Sequence, residues 1–78
     1  MKYFKPAGIP LRQLEEISLA KDELEALRLK YVLDLEQVEA AEKMGVSQPT
    51  FHRILSSAIK KVADALVKGK AIKIEKGE

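Results

Sequence analysis

Residues 37–55, QVEAAEKMGVSQPTFHRIL, decide how this chain is expected to fold. Gly45 lies where one helix has to end, because a residue without a Cβ enters the left-handed backbone region at little steric cost. Ser47 is a favoured N-cap for the next helix, and Pro49 suits its first turn, where a missing N–H leaves no hydrogen bond unmade. The stretch therefore predicts two helices joined by a sharp turn, the helix-turn-helix arrangement.

The side chains around this turn divide into an inner and an outer set. Ala41 is small enough for a close helix crossing, and Val46 can fill the corner. The inner set of the second helix recurs at helical spacing and consists of Phe51, Ile54 and Leu55. The outer set is polar and consists of Gln48, His52, Arg53 and Ser56. A helix that exposes such groups suits the major groove of DNA, whereas an ordinary helical hairpin is the alternative interpretation.

The composition narrows the class of protein. A chain of 78 residues is expected to form one domain, residues 1–78, with a core of marginal size. It contains no cysteine and a single histidine, so we expect no disulfide, no metal site and no cofactor. The acidic residues of the first half are expected to be solvated, and no catalytic constellation is visible. We therefore do not expect an enzyme.

The charge is unevenly distributed. Residues 1–42 hold six Lys/Arg against nine Asp/Glu, whereas residues 43–78 hold eight against three. The basic half begins at the predicted turn, which favours contact with a polyanion there, although solvated lysines are the plain alternative. No apolar run approaches the ~20 residues that span a bilayer, and no secretory signal is visible. We expect a cytoplasmic protein.

Helical periodicity predicts three helices. The first is expected over residues 21–32, with Ser18 as its cap in place of Ala20. Its inward side chains are expected to be Leu24, Leu27 and Tyr31, together with Leu29 or Val32. The second is expected from residue 36 or 37 to Met44, and its inward side chains are expected to be Val38, Ala41 and Met44. The third should follow Ser47 and continue to Lys68.

The ends of the chain are expected to be less regular. Residues 11–17 should form a single turn, with Leu14 and Ile17 facing inward. Residues 70–75 alternate weakly and predict a short strand, whose expected partner is the segment 2–5, in the same chain or in another. The predicted fold class is thus all-α with short terminal strands.

With these segments placed, the chain resembles a small family of predicted DNA-binding proteins from bacteria and archaea, long catalogued as of unknown function. The matching segments cover nearly the whole chain: YFKPAGIPL at residues 3–11, LEE at 14–16, DELEALRL at 22–29, EAAEKMGVS at 39–47, TF at 50–51, RIL at 53–55 and KVADALVKGKA at 61–71. The central part is also similar to the fourth region of bacterial sigma factors, whose helix-turn-helix reads promoter DNA.

The resemblance implies a helix-turn-helix domain with a regulatory role, without a target gene. Three departures bear on it. Relatives usually begin with a basic arm, and this chain begins almost at the aromatic segment, so we expect no arm in the minor groove. Asp34 and Glu36 replace an expected glycine and hydroxyl cap, which predicts strain or a shift at the start of the second helix. The residues at positions 48, 49 and 52 (Gln48, Pro49 and His52) differ from those common in relatives, so no base preference is carried over.

The candidate DNA-binding residues lie on or beside the third helix, about residues 48–67. Arg53 is the best base reader, since its guanidinium can bond guanine O6 and N7 together, and an ion pair with Glu39 or Glu42 is the alternative. Gln48 can pair with adenine or help to cap the helix. His52 can touch a base edge or a phosphate, and a structural or solvent role is the alternative. The remaining candidates are assigned to phosphates or to the helix start, with capping for Ser47 and solvation for the lysines as the alternatives: Lys43, Ser47, Pro49, Thr50, Ser56, Lys60 and Lys61.

We expect a transcription regulator that binds double-stranded DNA through the third helix. The rival is a protein-interaction module that docks on a partner such as RNA polymerase. A DNA binder should place His52, Arg53 and Lys60 on one exposed strip, whereas an interaction module should expose an apolar patch near Leu35 or Leu66.

The length of the third helix raises a further expectation. One helical hairpin cannot cover its distal turns, which carry Val62, Leu66 and Val67. We expect a homodimer there, unless residues 9–19 fold back over these turns within one chain.

Overall fold

A computed structural model describes residues 2–75 of the protein. These residues form three strands, three α-helices and two short helical segments of other types. In chain order they are β1 (Lys2–Phe4), a 3-10 turn (Leu11–Gln13), β2 (Glu16–Leu19), α1 (Lys21–Leu27) continued by a π-helical segment (Arg28–Val32), α2 (Gln37–Met44), α3 (Gln48–Lys68) and β3 (Ala71–Ile74). The boundaries predicted for α2 and α3 are confirmed.

Helix α1 begins without a hydroxyl cap. Ala20 has extended backbone angles, and its N–H donates to the Glu23 Oε1 atom at 2.9 Å. This is the half of a capping box in which the third helical residue reaches back to the cap. Ser18, which was expected to cap this helix, lies in β2 instead.

The chain takes a left-handed conformation two residues after the π-helical segment. Asp34 has φ 59°, and the next N–H, that of Leu35, donates to the Leu29 carbonyl at 3.0 Å. Asp34, which stands where a glycine was expected, therefore has a left-handed backbone. Asparagine and aspartate tolerate this conformation better than most residues do. Helix α2 is not shifted, since it starts at Gln37 with Glu36 as an N-cap that makes no side-chain cap bond.

The turn between α2 and α3 has the predicted geometry. Gly45 has φ 70° and ψ 33°, and the Val46 N–H donates to the Ala41 carbonyl at 3.0 Å, the bond of a Schellman C-cap. Ser47 caps α3, because its Oγ accepts the Thr50 N–H at 3.3 Å. A side chain at Gly45 would meet no atom within 4 Å, so the turn needs glycine for its backbone angles rather than for space.

The first core lies where α1, α2 and the start of α3 meet. Phe51 and Leu29 are its largest fully buried side chains, and the remaining buried members are Ala26, Ala40, Ala41 and Leu55. Val46 and Ile54 pack against it as predicted. The inward stripe predicted for α1 is wrong in part, because Leu24 is 39% and Tyr31 60% exposed.

In α2 the core buries the side chain of Ala40 and not that of Val38. Val38 was predicted to be buried and is 50% exposed, whereas Ala40 is fully buried and Met44 half-buried. Two adjacent alanines, Ala40 and Ala41, let the backbone of α2 approach its neighbours closely. A Val side chain in that place would hold the helices apart.

The strands form one mixed sheet in the order β1-β3-β2. The protein is mostly helical, as predicted, but its short strands form a three-stranded sheet that an all-α class does not include. Strand β3 pairs antiparallel with β1, with Phe4 opposite Ile72, and parallel with β2, with Leu19 opposite Ile74. The predicted pairing of the two terminal segments is confirmed within one chain. Strand β2 was not predicted, since the residues before Leu19 were expected to continue a single turn.

The sheet packs on the distal half of α3 and forms a second core. Its buried members are Leu19, Ala58, Ala65, Ile72 and Ile74, with Ile17, Val62 and Leu27 packed against them. Leu27 contacts both cores. The sheet covers only one side of the distal helix, because Leu66 remains 75% and Val67 83% exposed.

One buried ion pair fixes α1 against α3. Glu23 is 6% exposed, and its carboxylate accepts hydrogen bonds from Lys61 Nζ at 2.9 Å, Ser57 Oγ at 2.6 Å and the Ala20 N–H. Burial by itself raises the pKa of Glu23, but these three donors and the Lys61 charge bring it below its ordinary value. Lys61 also donates to the Ser18 carbonyl at 3.1 Å, so the same ammonium holds β2.

Gly45→Val is expected to destabilise the fold by about 1–2 kcal/mol, because a β-branched residue is strained in the left-handed region. Gly45→Asn is the matched control, since asparagine tolerates that region. Thermal unfolding followed by circular dichroism measures both. A valine variant that melts with the parent would show that the turn imposes no such constraint.

Asp34→Gly should change stability in the opposite direction. Glycine removes the steric cost of the left-handed backbone, and we expect a gain of about 0.5–1 kcal/mol, reduced by the greater freedom of glycine in the unfolded chain. Urea unfolding of the two proteins provides the measurement. A loss of stability would mean that the Asp34 side chain makes a contribution that outweighs the strain.

Glu23→Gln should cost about 1–3 kcal/mol at neutral pH, because Lys61 loses its charged partner. The pKa of Glu23 is lower in the folded state, so the stability it adds is complete above the ordinary value of 4.5 and is lost as the pH falls through the lowered pKa. The stability difference between parent and variant should therefore shrink in acid. Glu15→Gln, with an 83% exposed side chain, should change stability by less than about 0.5 kcal/mol. A difference that stays constant from pH 7 into acid would contradict this role.

Candidate nucleic-acid interface

Three polar side chains are tied together at the start of α3. Ser47 Oγ donates to Thr50 Oγ1 at 3.0 Å while it accepts the Thr50 N–H. Arg53 Nη2 donates to the same Thr50 Oγ1 at 3.2 Å. Arginine has five N–H donors, so this bond holds the guanidinium beside the helix start and leaves donors for an acceptor outside the protein.

The outward face of the first half of α3 is polar and exposed. Thr50 is half-buried, and the exposed residues of this face are Gln48, Pro49, His52, Arg53, Ser56 and Lys60. Positions 48, 52 and 56 follow the four-residue spacing of one helix face, while 53 and 60 are two turns apart. The residues named for a DNA-facing strip thus lie together, and we call this set the polar strip. Phe51 and Leu55, both buried, anchor the opposite side of the helix.

The electrostatics of α3 favour an anion on this face. The helix carries four cationic residues and one acidic residue, Asp64, which lies beyond the polar strip. Asp64 is already bonded to Lys70 at 2.7 Å and to Lys68 at 3.1 Å, and these contacts hold its pKa below the ordinary value. No ion pair joins Arg53 to Glu39 or Glu42, all of which lie within the described residues. The N-terminus of α3 adds the positive end of the helix dipole.

Two of the candidate lysines differ in their surroundings. Lys43 is exposed in the last turn of α2, next to the turn at Gly45. Lys61 is turned inward, toward Glu23 and the Ser18 carbonyl, so the structure separates it from the polar strip. The spacing of Lys60 and Lys61 alone gave no sign of this. The one available signal was Glu23, a carboxylate at the first turn of a helix with an otherwise poor cap.

The outward face of α3 changes from polar to apolar along the helix, as the apolar distal turns in the sequence indicated. Beyond Ser56 the exposed residues are mostly apolar: Ile59, Ala63, Leu66 and Val67. Together with Leu27, Tyr31 and Val62, three of these line a shallow groove of about 350 Å³. The distal turns had been expected to need a cover, and within residues 2–75 the outward part of them has none.

Other kinds of site find little support in the described residues. Within that part of the chain no three His, Cys, Asp or Glu side chains come together as metal ligands do. Among the same residues no helix combines the length and the apolar content needed to cross a membrane. His52 lies exposed on the polar strip.

Comparison with known proteins places the chain among relatives without an assigned activity. It is 65% identical over 75 residues to a UPF0251 protein of Moorella thermoacetica, 63% to one of Desulforudis audaxviator and 64% to one of Dehalococcoides mccartyi. Each alignment covers 96% of this chain. The chain spans about half the length of the first two relatives and 64% of the third.

No solved structure matches the chain. The model of the family described as "Protein of unknown function DUF134" matches residues 1–78. The chain therefore belongs to that family.

Proposed function

We propose that the protein binds double-stranded DNA with the N-terminal half of α3 in the major groove and that it regulates transcription. The observation that carries the proposal is the polar strip, an exposed face free of acidic residues on a helix whose other side is anchored in the core. A strip from Gln48 to Lys60 is ~18 Å long, and the major groove is ~12 Å wide, so a helix presenting this face fits it.

The turn geometry supports the same proposal. The left-handed Gly45 and the Ser47 cap fix the direction of α3 relative to α2, which is what a helix-turn-helix requires of its connection. In such motifs the first residues of the second helix contact base edges. Here those residues are Gln48, His52 and Arg53, all of them exposed.

Different residues would serve different parts of the complex. Arg53 would read a base, with guanine the best match for its donor fork, and Gln48 would face an adenine. Lys43 and Lys60 would contact phosphates on either side of the groove, and Ser47 and Thr50 would meet a phosphate at the helix N-terminus. Phosphate contacts would position the helix, and the base contacts would select the sequence.

A second function has one observation in its favour. The exposed Leu66 and Tyr31 form the kind of apolar surface expected of a protein-interaction module, such as one that docks on RNA polymerase. Leu35, the other site considered for such a patch, is half-buried against the first core. The two functions differ in their need for the polar strip, which DNA binding requires and docking through the groove does not.

The test begins with a binding selection from random duplex DNA, followed by affinity measurements on the selected and on random sequences. Arg53→Ala should cost ~1–3 kcal/mol on the selected site and relax the preference at one base pair. Lys60→Ala should weaken binding to all sequences alike and reduce the slope of log affinity against log salt by about 1.

Lys68→Ala is the matched control for Lys60→Ala. It removes the same charge from the same helix, but ~12 Å further along and from a lysine already paired with Asp64. Its affinity and salt slope should stay close to those of the parent. If Arg53→Ala and Lys60→Ala both bind selected and random DNA as the parent does, α3 is not the reading element; if no sequence is enriched and binding does not depend on salt, the DNA proposal fails.

A further inference from the structure

The apolar part of α3 is a surface that the chain's own cores leave open. Val67 is 83%, Leu66 75% and Ile59 40% exposed, and Tyr31, which lines the same groove as Ile59 and Leu66, is 60% exposed. Side chains of this kind rarely gather on the surface of a monomer unless something covers them. This groove is lined by Leu27, Tyr31, Ile59, Val62, Ala63 and Leu66.

We infer that a second copy of this chain occupies the groove, with the distal halves of two α3 helices packed antiparallel about a two-fold axis near Ala63. Ala63 is exposed and small, so two helices can approach closely at that point. Reversal of the helix about this residue places Ile59 of one copy opposite Val67 of the other. The surface is therefore complementary to itself, as a two-fold interface requires.

The available area sets the expected strength of the contact. Burial of one side chain of this size removes roughly 60–120 Å² from water. The partly exposed residues of the patch thus offer on the order of 400 Å² per copy, about half of the ~800 Å² that a standard interface buries on each side. This area fits a weak dimer that a shared ligand strengthens.

Charge does not oppose the association. The exposed apolar residues carry no charge, and Lys60 lies beside Ala63 and Val67, where its ammonium can remain in water. Asp64 is held by Lys68 and Lys70 of its own chain. No pair of like charges has to be buried between the two helices.

The geometry of this dimer also deepens the proposed function, on which this step rests. His52 and Arg53 lie 11 and 10 residues before Ala63, so the two copies would be ~33 Å apart for His52 and ~30 Å apart for Arg53 along antiparallel helices. Half-sites one turn of DNA apart are separated by ~34–36 Å. The groove residues Ile59 and Leu66 lie roughly a third of a turn around α3 from Arg53 and Lys60. Arg53 and Lys60 of both copies can thus face one duplex while the grooves face each other, whereas Gln48, His52 and Ser56 share the direction of the grooves.

The first experiment measures association of the full chain without DNA. Sedimentation equilibrium from micromolar to several hundred micromolar should show a reversible monomer–dimer system. Leu66→Lys should raise the dissociation constant at least tenfold, and because this side chain is 75% exposed the folded monomer should keep its melting temperature. Val38→Lys is the matched control, an equal change at a 50% exposed apolar residue of α2, and should leave the constant unchanged.

Cross-linking locates the two-fold axis. The chain contains no cysteine, so Ala63→Cys introduces a single thiol near the axis, where the two Cα atoms would be within disulfide reach. Ser56→Cys is on the same exposed face, but its two copies would lie ~20 Å apart along the helices. In a buffer of reduced and oxidised glutathione, in which the oxidised form is reduced as the protein disulfide forms, Ala63→Cys should form covalent dimer at least tenfold faster than Ser56→Cys.

Each outcome decides the inference. A parent that stays at the 8.7 kDa monomer mass at every concentration overturns it, as do Leu66→Lys with the parent's dissociation constant or equal cross-linking at the two positions. Titration of selected duplex separates this result from the proposed function. A dimer that binds no DNA would support the interface and contradict the proposed function. A monomer that binds one duplex would support the proposed function and contradict the interface.

Discussion

The length of α3 is the constraint on which the rest of the molecule depends. A helix of 21 residues is ~31 Å long, and no single core of a chain this small covers it. The structure meets this constraint with two cores in series along the same helix, one built on α1 and α2 and one built on the sheet. The first immobilises the half that carries Arg53, and the second immobilises the half that carries Ala65.

The Glu23–Lys61 pair lies where these two cores meet. Its carboxylate caps α1, its ammonium reaches the β2 backbone, and the contact crosses to the middle of α3. An ion pair of this length on the surface would add little to stability. Here the two carboxylate oxygens of Glu23 accept hydrogen bonds from three donors in a mostly buried place. The direction of α3 relative to α1 is fixed by polar contacts as well as by packing, which matters for any function that needs the polar strip held at one angle.

The parts that sequence reasoning predicted are those governed by local chemistry. Gly45, Ser47 and Pro49 specify their turn by backbone angle, cap and missing donor, and each of these acts within four residues. The inner positions of α3 followed from Phe51 and Leu55 because the helix is long and its period is clear. In the candidate site Gln48, His52, Arg53 and Lys60 are all exposed, as the period indicated, and their contact with DNA stays a prediction.

The parts that it missed depend on contacts distant in sequence. Leu24 and Tyr31 form as good a stripe in α1 as Ala26 and Leu29 do, and only the π-helical segment and the crossing with α2 decide between them. Strand β2 is a strand because β3, more than 50 residues away, supplies its hydrogen bonds. Lys61 was predicted in the candidate site but points away from it for a similar reason, since its partner Glu23 lies 38 residues earlier. Tertiary contacts of this kind override local preference.

The outward side of α3 is polar in its first half and apolar in its second half, so the helix fixes the distance between these two regions. If the apolar half meets its copy at Ala63, the separation of the two polar halves is set by the 1.5 Å rise of α3 and not by a flexible linker. Substitutions at the apolar end would then change the spacing of what the polar end contacts, without a change in any residue of the polar strip. This coupling requires α3 to remain straight from Gln48 to Lys68, and the two cores with their shared ion pair hold both halves of the helix from one side, leaving the outward side free for contacts.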